Sequence, residues 1–205
     1  MEKTLQQHWE HVYRTKQPHE VSWTQDVPIT SLELIAELGI SKDTAVIDVG
    51  GGDSRLVDHL LDLGFTDVTV LDISAASLER ARQRLGSRAS QVKWIEADIR
   101  EFRPARKYGL WHDRAAFHFL TAEEDVRQYL RMVADCVDGY MIVGTFSSRG
   151  PEKCSGLPVR QYDEATLSRL LPELFRKVRC VSVDHVTPFD TKQHFTFCSF
   201  RRQAA

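Results

Sequence analysis

The chain has 205 residues, 42% hydrophobic and 27% charged, which suits one globular domain with a sizeable core. With 27 basic and 29 acidic residues the formal net charge is −2, so composition offers no basic excess for nucleic acid or an anionic membrane. No apolar run approaches the roughly 18 residues that span a bilayer, and residues 1–10 lack the apolar stretch of an export signal, so the expected compartment is the cytoplasm. The four cysteines, Cys136, Cys154, Cys180 and Cys198, form no CxxC pair and are expected as reduced thiols.

In chain order, residues 1–13 predict a polar amphipathic helix carrying Trp9, Val12 and Tyr13. A loop follows through Pro18, Trp23 and Pro28, then a helix over 29–38 stopped by Gly39. The whole is expected to be one domain, with residues 1–39 a helical cap or lid on a core of residues 40–205. From Thr44 strands and helices alternate: strand 45–49 with helix 54–63, strand 67–71 with helix 74–85, then strand 91–95. Strand 108–112 precedes helix 122–137, and strand 140–146 precedes helix 163–171. Ser74 and Asp163 are placed as helix N-caps. Residues 177–185 and 194–201 favour strands, and the turn between them is too short for a parallel crossover, so they pair antiparallel. The fold class is α/β, a doubly wound, mostly parallel sheet with an antiparallel hairpin strand at its end.

The stretch Asp48-Val-Gly50-Gly51-Gly52-Asp53 joins a buried strand to a helix. Glycine lacks Cβ and lets a ligand approach the backbone, and such a unit binds nucleotide-like cofactors at the carboxyl edge of a doubly wound sheet. A dinucleotide fingerprint would need a third glycine where this chain has Arg55, whose bulk opposes close packing. A Walker loop would end Gly-Lys-Ser/Thr, but this loop ends Gly-Asp-Ser, and Asp53 repels phosphate at a helix N-terminus. An adenosyl ligand with a cationic centre and no phosphate fits better. Asp72 can accept from both ribose hydroxyls, Asp98 can accept from an adenine amino group, and Asp48 adds a third acid at a strand end.

On these residues the chain resembles the class I S-adenosylmethionine-dependent methyltransferases. Their acid-x-Gly-x-Gly-x-Gly motif matches Asp48, Gly50 and Gly52, with Ser54 in place of the final glycine. The resemblance covers residues 40–200 and implies a Rossmann-like, seven-stranded sheet whose last strand is antiparallel. It implies S-adenosyl-L-methionine as cofactor, with Gly50 and Gly52 along the methionine part, Asp72 at the ribose, Asp98 and Ile99 at the adenine, and Asp48 and Ile73 also among the cofactor-binding residues. The implied reaction is methyl transfer to an oxygen, nitrogen or sulfur nucleophile.

Acceptor residues are expected after the fourth core strand, in Leu110-Trp-His-Asp113-Arg114-Ala-Ala-Phe-His118-Phe-Leu120. Asp113 and Arg114 either pair to shape the site or leave Arg114 to hold an acidic acceptor. His118 is either a base or a buried core histidine. The long polar loop after strand 140–146, with Cys154, Arg160 and Tyr162, reads as an acceptor-binding element. Candidate catalytic residues are therefore Asp113, Arg114 and His118, and candidate substrate contacts are Trp23, Arg160 and Tyr162. No HxH, HExxH or Cys/His spacing suggests a metal. A small-molecule acceptor is favoured over a protein side chain. Protein-lysine methyl transfer and a non-catalytic cofactor-binding module remain the alternatives, and oligomeric state is not legible.

Overall fold

The computed structural model describes residues 4–171 and 173–203. Residues 1–3 of the first predicted helix therefore lie outside the described residues. Val46–Val49 (β1) and Val68–Asp72 (β2) are buried at every position, as befits parallel strands covered on both faces. Val92–Glu96 (β3), Tyr108–Arg114 (β4) and Val137–Phe146 (β5) extend the parallel part. Lys153–Cys154 (β6) and Leu157–Pro158 (β7) form a small separate hairpin inside what the sequence marks only as loop. Phe175–Val186 (β8) and Lys192–Arg202 (β9) complete a seven-stranded sheet of order β3-β2-β1-β4-β5-β9-β8, with β9 antiparallel to both neighbours. The expected mixed sheet is thus present.

Helices cover both faces. Ile29–Glu37 (α2), Leu56–Asp62 (α3) and Ala75–Leu85 (α4) bury Leu34, Leu60 and Leu78 against Val46, Val70 and Leu110. Glu123–Cys136 (α5) and Glu164–Leu170 (α6) bury Val133 and Leu167 against Ile47, Trp111 and Met141. Successive β1 residues therefore serve opposite cores, as the two-residue strand period requires. The N-terminal helix, Leu5–Thr15 (α1), belongs to neither face and packs Trp9, Val12 and Tyr13 in its own cluster. Ser74 and Asp163 cap α4 and α6, accepting from the backbone N–H of Ser77 and Thr166. β5 starts before its predicted Tyr140, because α5 passes straight into extended backbone at Val137.

The cysteine expectation is corrected for two of the four. β8 and β9 place Cys180 directly opposite Cys198, with Cα atoms 4.1 Å apart, and a disulfide joins them. Their separation of 18 residues gives no hint of this, because hairpin register makes the pair. Cys136 and Cys154 are free and buried. Peptide mapping without reductant is expected to recover Cys180 linked to Cys198. Finding both alkylated as free thiols would remove the bridge.

Candidate active site

β1 and β4 are neighbours although β2 and β3 intervene in sequence, so the chain leaves their carboxyl ends in opposite directions and opens a crevice. The glycine loop enters it. Gly50 has φ +65°, and a Cβ there would lie 2.7 Å from the Cβ of Ala116 in the turn after β4. At Gly51 a Cβ would lie 2.7 Å from Asp48 Oδ2. A side chain at Gly50 would push the turn after β4 away, and one at Gly51 would displace Asp48 and Val70. Asp48 itself sits beneath the loop and does not line the cavity, contrary to its expected place beside the cofactor. His112 Nδ1 donates to Asp48 Oδ1 at 2.7 Å, and the Ser31 hydroxyl donates to His112 Nε2 at 2.9 Å. All three side chains are buried, so they brace the loop from below. Gly52 does not itself line the cavity, but a Cβ there would lie 3.0 Å from Asp72 Oδ2 and Tyr13 Oη, two groups that do.

The cavity runs along the carboxyl edge. Asp72, Ile73, Asp98 and Ile99 line one half, with Gly50 and Gly51 at its centre. Asp72 is buried, and the backbone N–H of Ser74 donates to its Oδ1 at 2.8 Å. Burial, reinforced by the nearby charges of Asp53 and Asp48, raises its carboxyl to about 7 against the pull of Ser74 and Ser77. Burial also acts to raise Asp98, but Arg100 wins: Nε and Nη2 reach the carboxylate at 3.0 and 2.5 Å and hold it below its ordinary value. Asp53, which the sequence reading treated only as hostile to phosphate, lines the cavity too. Burial raises it, partly offset by Arg80 at 3.5 Å.

The other half is aromatic. Trp9 meets Trp23 at 5.6 Å and Phe119 at 5.2 Å between ring centroids, both edge-on. Arg114 lines this half as well. The notion of an Asp113–Arg114 ion pair is corrected, because neighbouring strand residues point to opposite faces. Asp113 turns inward, where Ala116 N and Phe117 N both donate to Oδ1 at 3.0 Å and Tyr129 Oη donates to Oδ2 at 2.7 Å. That places a fully engaged carboxylate away from the cavity. Burial lifts it to about 6.

His118 is also corrected as a base candidate. It is fully buried between Phe119 and Phe146, its Nδ1 accepts from Phe146 N at 3.3 Å, and burial pushes it down to about 3. Tyr162 is equally buried, packed on Phe117, with its hydroxyl pushed up to about 12. Arg160 lies over the Tyr162 ring and, like it, does not line the cavity. Of the long loop only Cys154 lines it, and burial raises this thiol to about 12. Such a thiol stays neutral and poorly nucleophilic. Iodoacetamide is therefore expected to label Cys154 far more slowly than a free peptide cysteine at the same pH, and rapid labelling contradicts this.

α1 forms the roof. Trp9 and Tyr13 line the cavity, a pairing the sequence carries as aromatics one helical turn apart. Glu10 anchors the helix: Ser74 Oγ donates to its Oε2 at 2.7 Å and Ala76 N at 3.1 Å. Burial opposes the charge, but these bonds and Arg14 hold Glu10 below its ordinary value. His8 Nε2 meets Ser155 Oγ at 3.3 Å, tying the roof to the β6–β7 hairpin. Among the described residues, no three His, Cys, Asp or Glu side chains gather as a metal-binding group, and no helix is long and apolar enough to cross a membrane.

The donor set fits an adenosyl amino acid. A carboxylate at Asp72 suits a diol, Asp98 suits an exocyclic amine, and the Gly50 and Gly51 backbone lines the cavity between them and Arg114. Residues 46–138 match the family described as "Methyltransferase domain". The chain is 28% identical over 134 residues to the eEF1A lysine and N-terminal methyltransferase of Mus musculus, covering 62% of this chain and 19% of that protein. It is 30% identical over 105 residues to malonyl-(acyl-carrier protein) O-methyltransferase of Anoxybacillus flavithermus, covering 51% of this chain and 39% of that one. The chain thus spans well under half the length of the curated relatives it matches. In fold it is similar to a SAM-dependent methyltransferase from Anabaena variabilis, with a TM-score of 0.75 at 13% identity over 98% of this chain and 96% of that one. Glycine loop, strand-end acids, sheet order and domain match converge on one likeness: residues 46–138 match the methyltransferase domain, and the chain has the fold of S-adenosylmethionine-dependent methyltransferases, which supports S-adenosyl-L-methionine as cofactor.

Proposed function

We propose that this chain transfers a methyl group from S-adenosylmethionine to an oxygen, nitrogen or sulfur nucleophile of a small molecule. The observation that carries the reading is the cavity itself, with strand-end acids on one side and an aromatic compartment on the other. When bound, the cofactor supplies a methyl carbon already activated on a sulfonium, which passes to the acceptor as the carbon–sulfur electron pair returns to sulfur. The protein's task is then to position the acceptor and exclude water. Asp72 would hold the ribose hydroxyls, Asp98 and Ile99 the adenine, and Gly50 with Gly51 the methionine backbone. Trp9, Trp23 and Phe119 wall the acceptor side and keep it dry. No histidine serves as base in this reading, since His118 is sealed in the core.

A small acceptor is supported by the roof. α1 and the segment after it supply Trp9, Tyr13 and Trp23 to the cavity, which supports reading residues 8–28 as a cap ordered by the cofactor. Protease cleavage within residues 16–28 is expected to slow at saturating S-adenosylmethionine, and an unchanged rate rejects the cap. Protein-lysine methylation is the second reading, favoured by the mouse relative. Calorimetry with S-adenosylmethionine, S-adenosylhomocysteine and NAD tests the assignment. The first two are expected to bind, and NAD binding without them overturns it. A labelled-methyl screen over metabolites and proteins then separates the two acceptor classes.

A further inference from the structure

We propose that the acceptor is a small, largely apolar or flat molecule bearing an anionic oxygen group, seated against Arg114 between Trp9, Trp23 and Phe119; this rests on the methyl-transfer reading above. Arg114 ends β4, and its guanidinium is held by two neutral acceptors. Nη1 donates to Gln25 Oε1 at 2.9 Å and Nη2 to the Trp23 carbonyl at 3.1 Å. No carboxylate among the described residues forms an ion pair with it, and the charge of Asp48, itself engaged with His112, reaches it only from beyond that distance. The cavity's other exposed charges are partly answered: Asp98 faces Arg100 and Asp53 faces Arg80. Arg114 is the cation left over. A guanidinium has about five N–H donors, so several remain for a ligand. Burying such a group without a counter-charge is costly, and that cost is met where a ligand brings the charge.

The cation is also fixed in advance. Gln25 Nε2 donates to His185 Nδ1 at 3.1 Å, and His185 Nε2 donates to the Ser22 carbonyl at 2.6 Å. That chain turns the Gln25 oxygen toward Arg114, so the N-terminal segment, β4 and β8 share in placing one guanidinium. Its side of the cavity is set by strand order. The acids suited to ribose and adenine close β2 and β3, whereas β4 lies across β1 from them. Arg114 therefore stands on the acceptor side of the glycine loop. The walls there add no second charge, since Cys154 is a neutral thiol and the rest are aromatic or aliphatic. A lysine ammonium would be repelled by Arg114, which favours the small-molecule reading over the protein one.

The test begins with calorimetry of S-adenosylhomocysteine on the wild type, Arg114→Gln and Arg114→Lys. Each protein loaded with that product is then titrated with phenylacetate and indoleacetate, and with their neutral amides. The wild type is expected to prefer the carboxylates by at least about tenfold. Arg114→Gln should erase the preference and Arg114→Lys should keep part of it, with product affinity changed by less than about threefold in both. Equal binding of carboxylates and amides by the wild type overturns the proposal. So does a loss of product affinity in Arg114→Gln, which would assign the cation to the cofactor's own carboxylate. Failure of the wild type to bind S-adenosylhomocysteine refutes the methyl-transfer reading instead, and is seen before any acceptor probe is added.

Discussion

Asp72→Asn is expected to weaken S-adenosylmethionine binding by about 100-fold or more while raising the melting temperature of the ligand-free protein. Both effects follow from one buried carboxylate. Ionised, it can accept charge-assisted hydrogen bonds from two ribose hydroxyls, and asparagine offers only a neutral oxygen and a misplaced donor. In the ligand-free protein the same group is a liability. Its folded value is about 7, above its ordinary 3.8. Between those values the native state binds more protons than the unfolded one, so the stability it contributes falls as pH rises and is lowest above about 7. Relieving that penalty is worth on the order of a few kcal/mol, or several degrees in Tm for a chain of this size. Cofactor affinity should accordingly climb from pH 6 toward 8 and level off once Asp72 is ionised. Unchanged affinity in Asp72→Asn removes the ribose assignment, and an unchanged or lower Tm removes the electrostatic account.

Asp113→Ala should cost about 3–5 kcal/mol of folding stability without any catalytic role being involved. Three donors lose their acceptor at once: the part-buried Ala116 N and the buried Phe117 N and Tyr129 Oη. Tyr129 in turn accepts from Trp111 Nε1 at 2.8 Å, so the loss spreads into the central core. The turn also holds Ala115 at φ 66°, a left-handed conformation that needs outside support. Asp113→Asn keeps an acceptor oxygen for the two backbone groups and should be milder. Urea unfolding of both variants, with S-adenosylhomocysteine binding measured below their transitions, checks this. A variant with wild-type stability and product affinity but no turnover would restore Asp113 to the chemistry.

The strands and helices were legible because each carries its own period, and the antiparallel ending because the turn before Lys192 is too short to cross over. Asp72, Ile73, Asp98 and Ile99 were legible as neighbours because each closes a parallel strand, and parallel strands end at one edge. What the sequence concealed was direction. Nothing in Asp113-Arg114 states which of the two faces the cavity, since alternation fixes only that they differ. Tyr162 stands in a polar, turn-rich context and His118 between two phenylalanines, yet both point into the core, a matter of how the segment after β7 and the turn after β4 fold back. The Ser31–His112–Asp48 brace and the Arg114–Gln25–His185 chain join residues far apart in sequence, and only the assembled sheet brings them together.

Glu10 closes a thermodynamic cycle. It reaches from α1 to the N-cap and first turn of α4, the helix that begins three residues beyond Asp72, so roof and ribose pocket share one helix end. A ligand that favours the docked roof must be favoured by it in equal measure. The factor by which bound S-adenosylhomocysteine protects the amides of α1 from hydrogen exchange should therefore reappear as the factor by which Glu10→Ala lowers affinity, to the extent that this substitution undocks the helix. A residue with no place among the ligand's neighbours would then help set how tightly the ligand is held.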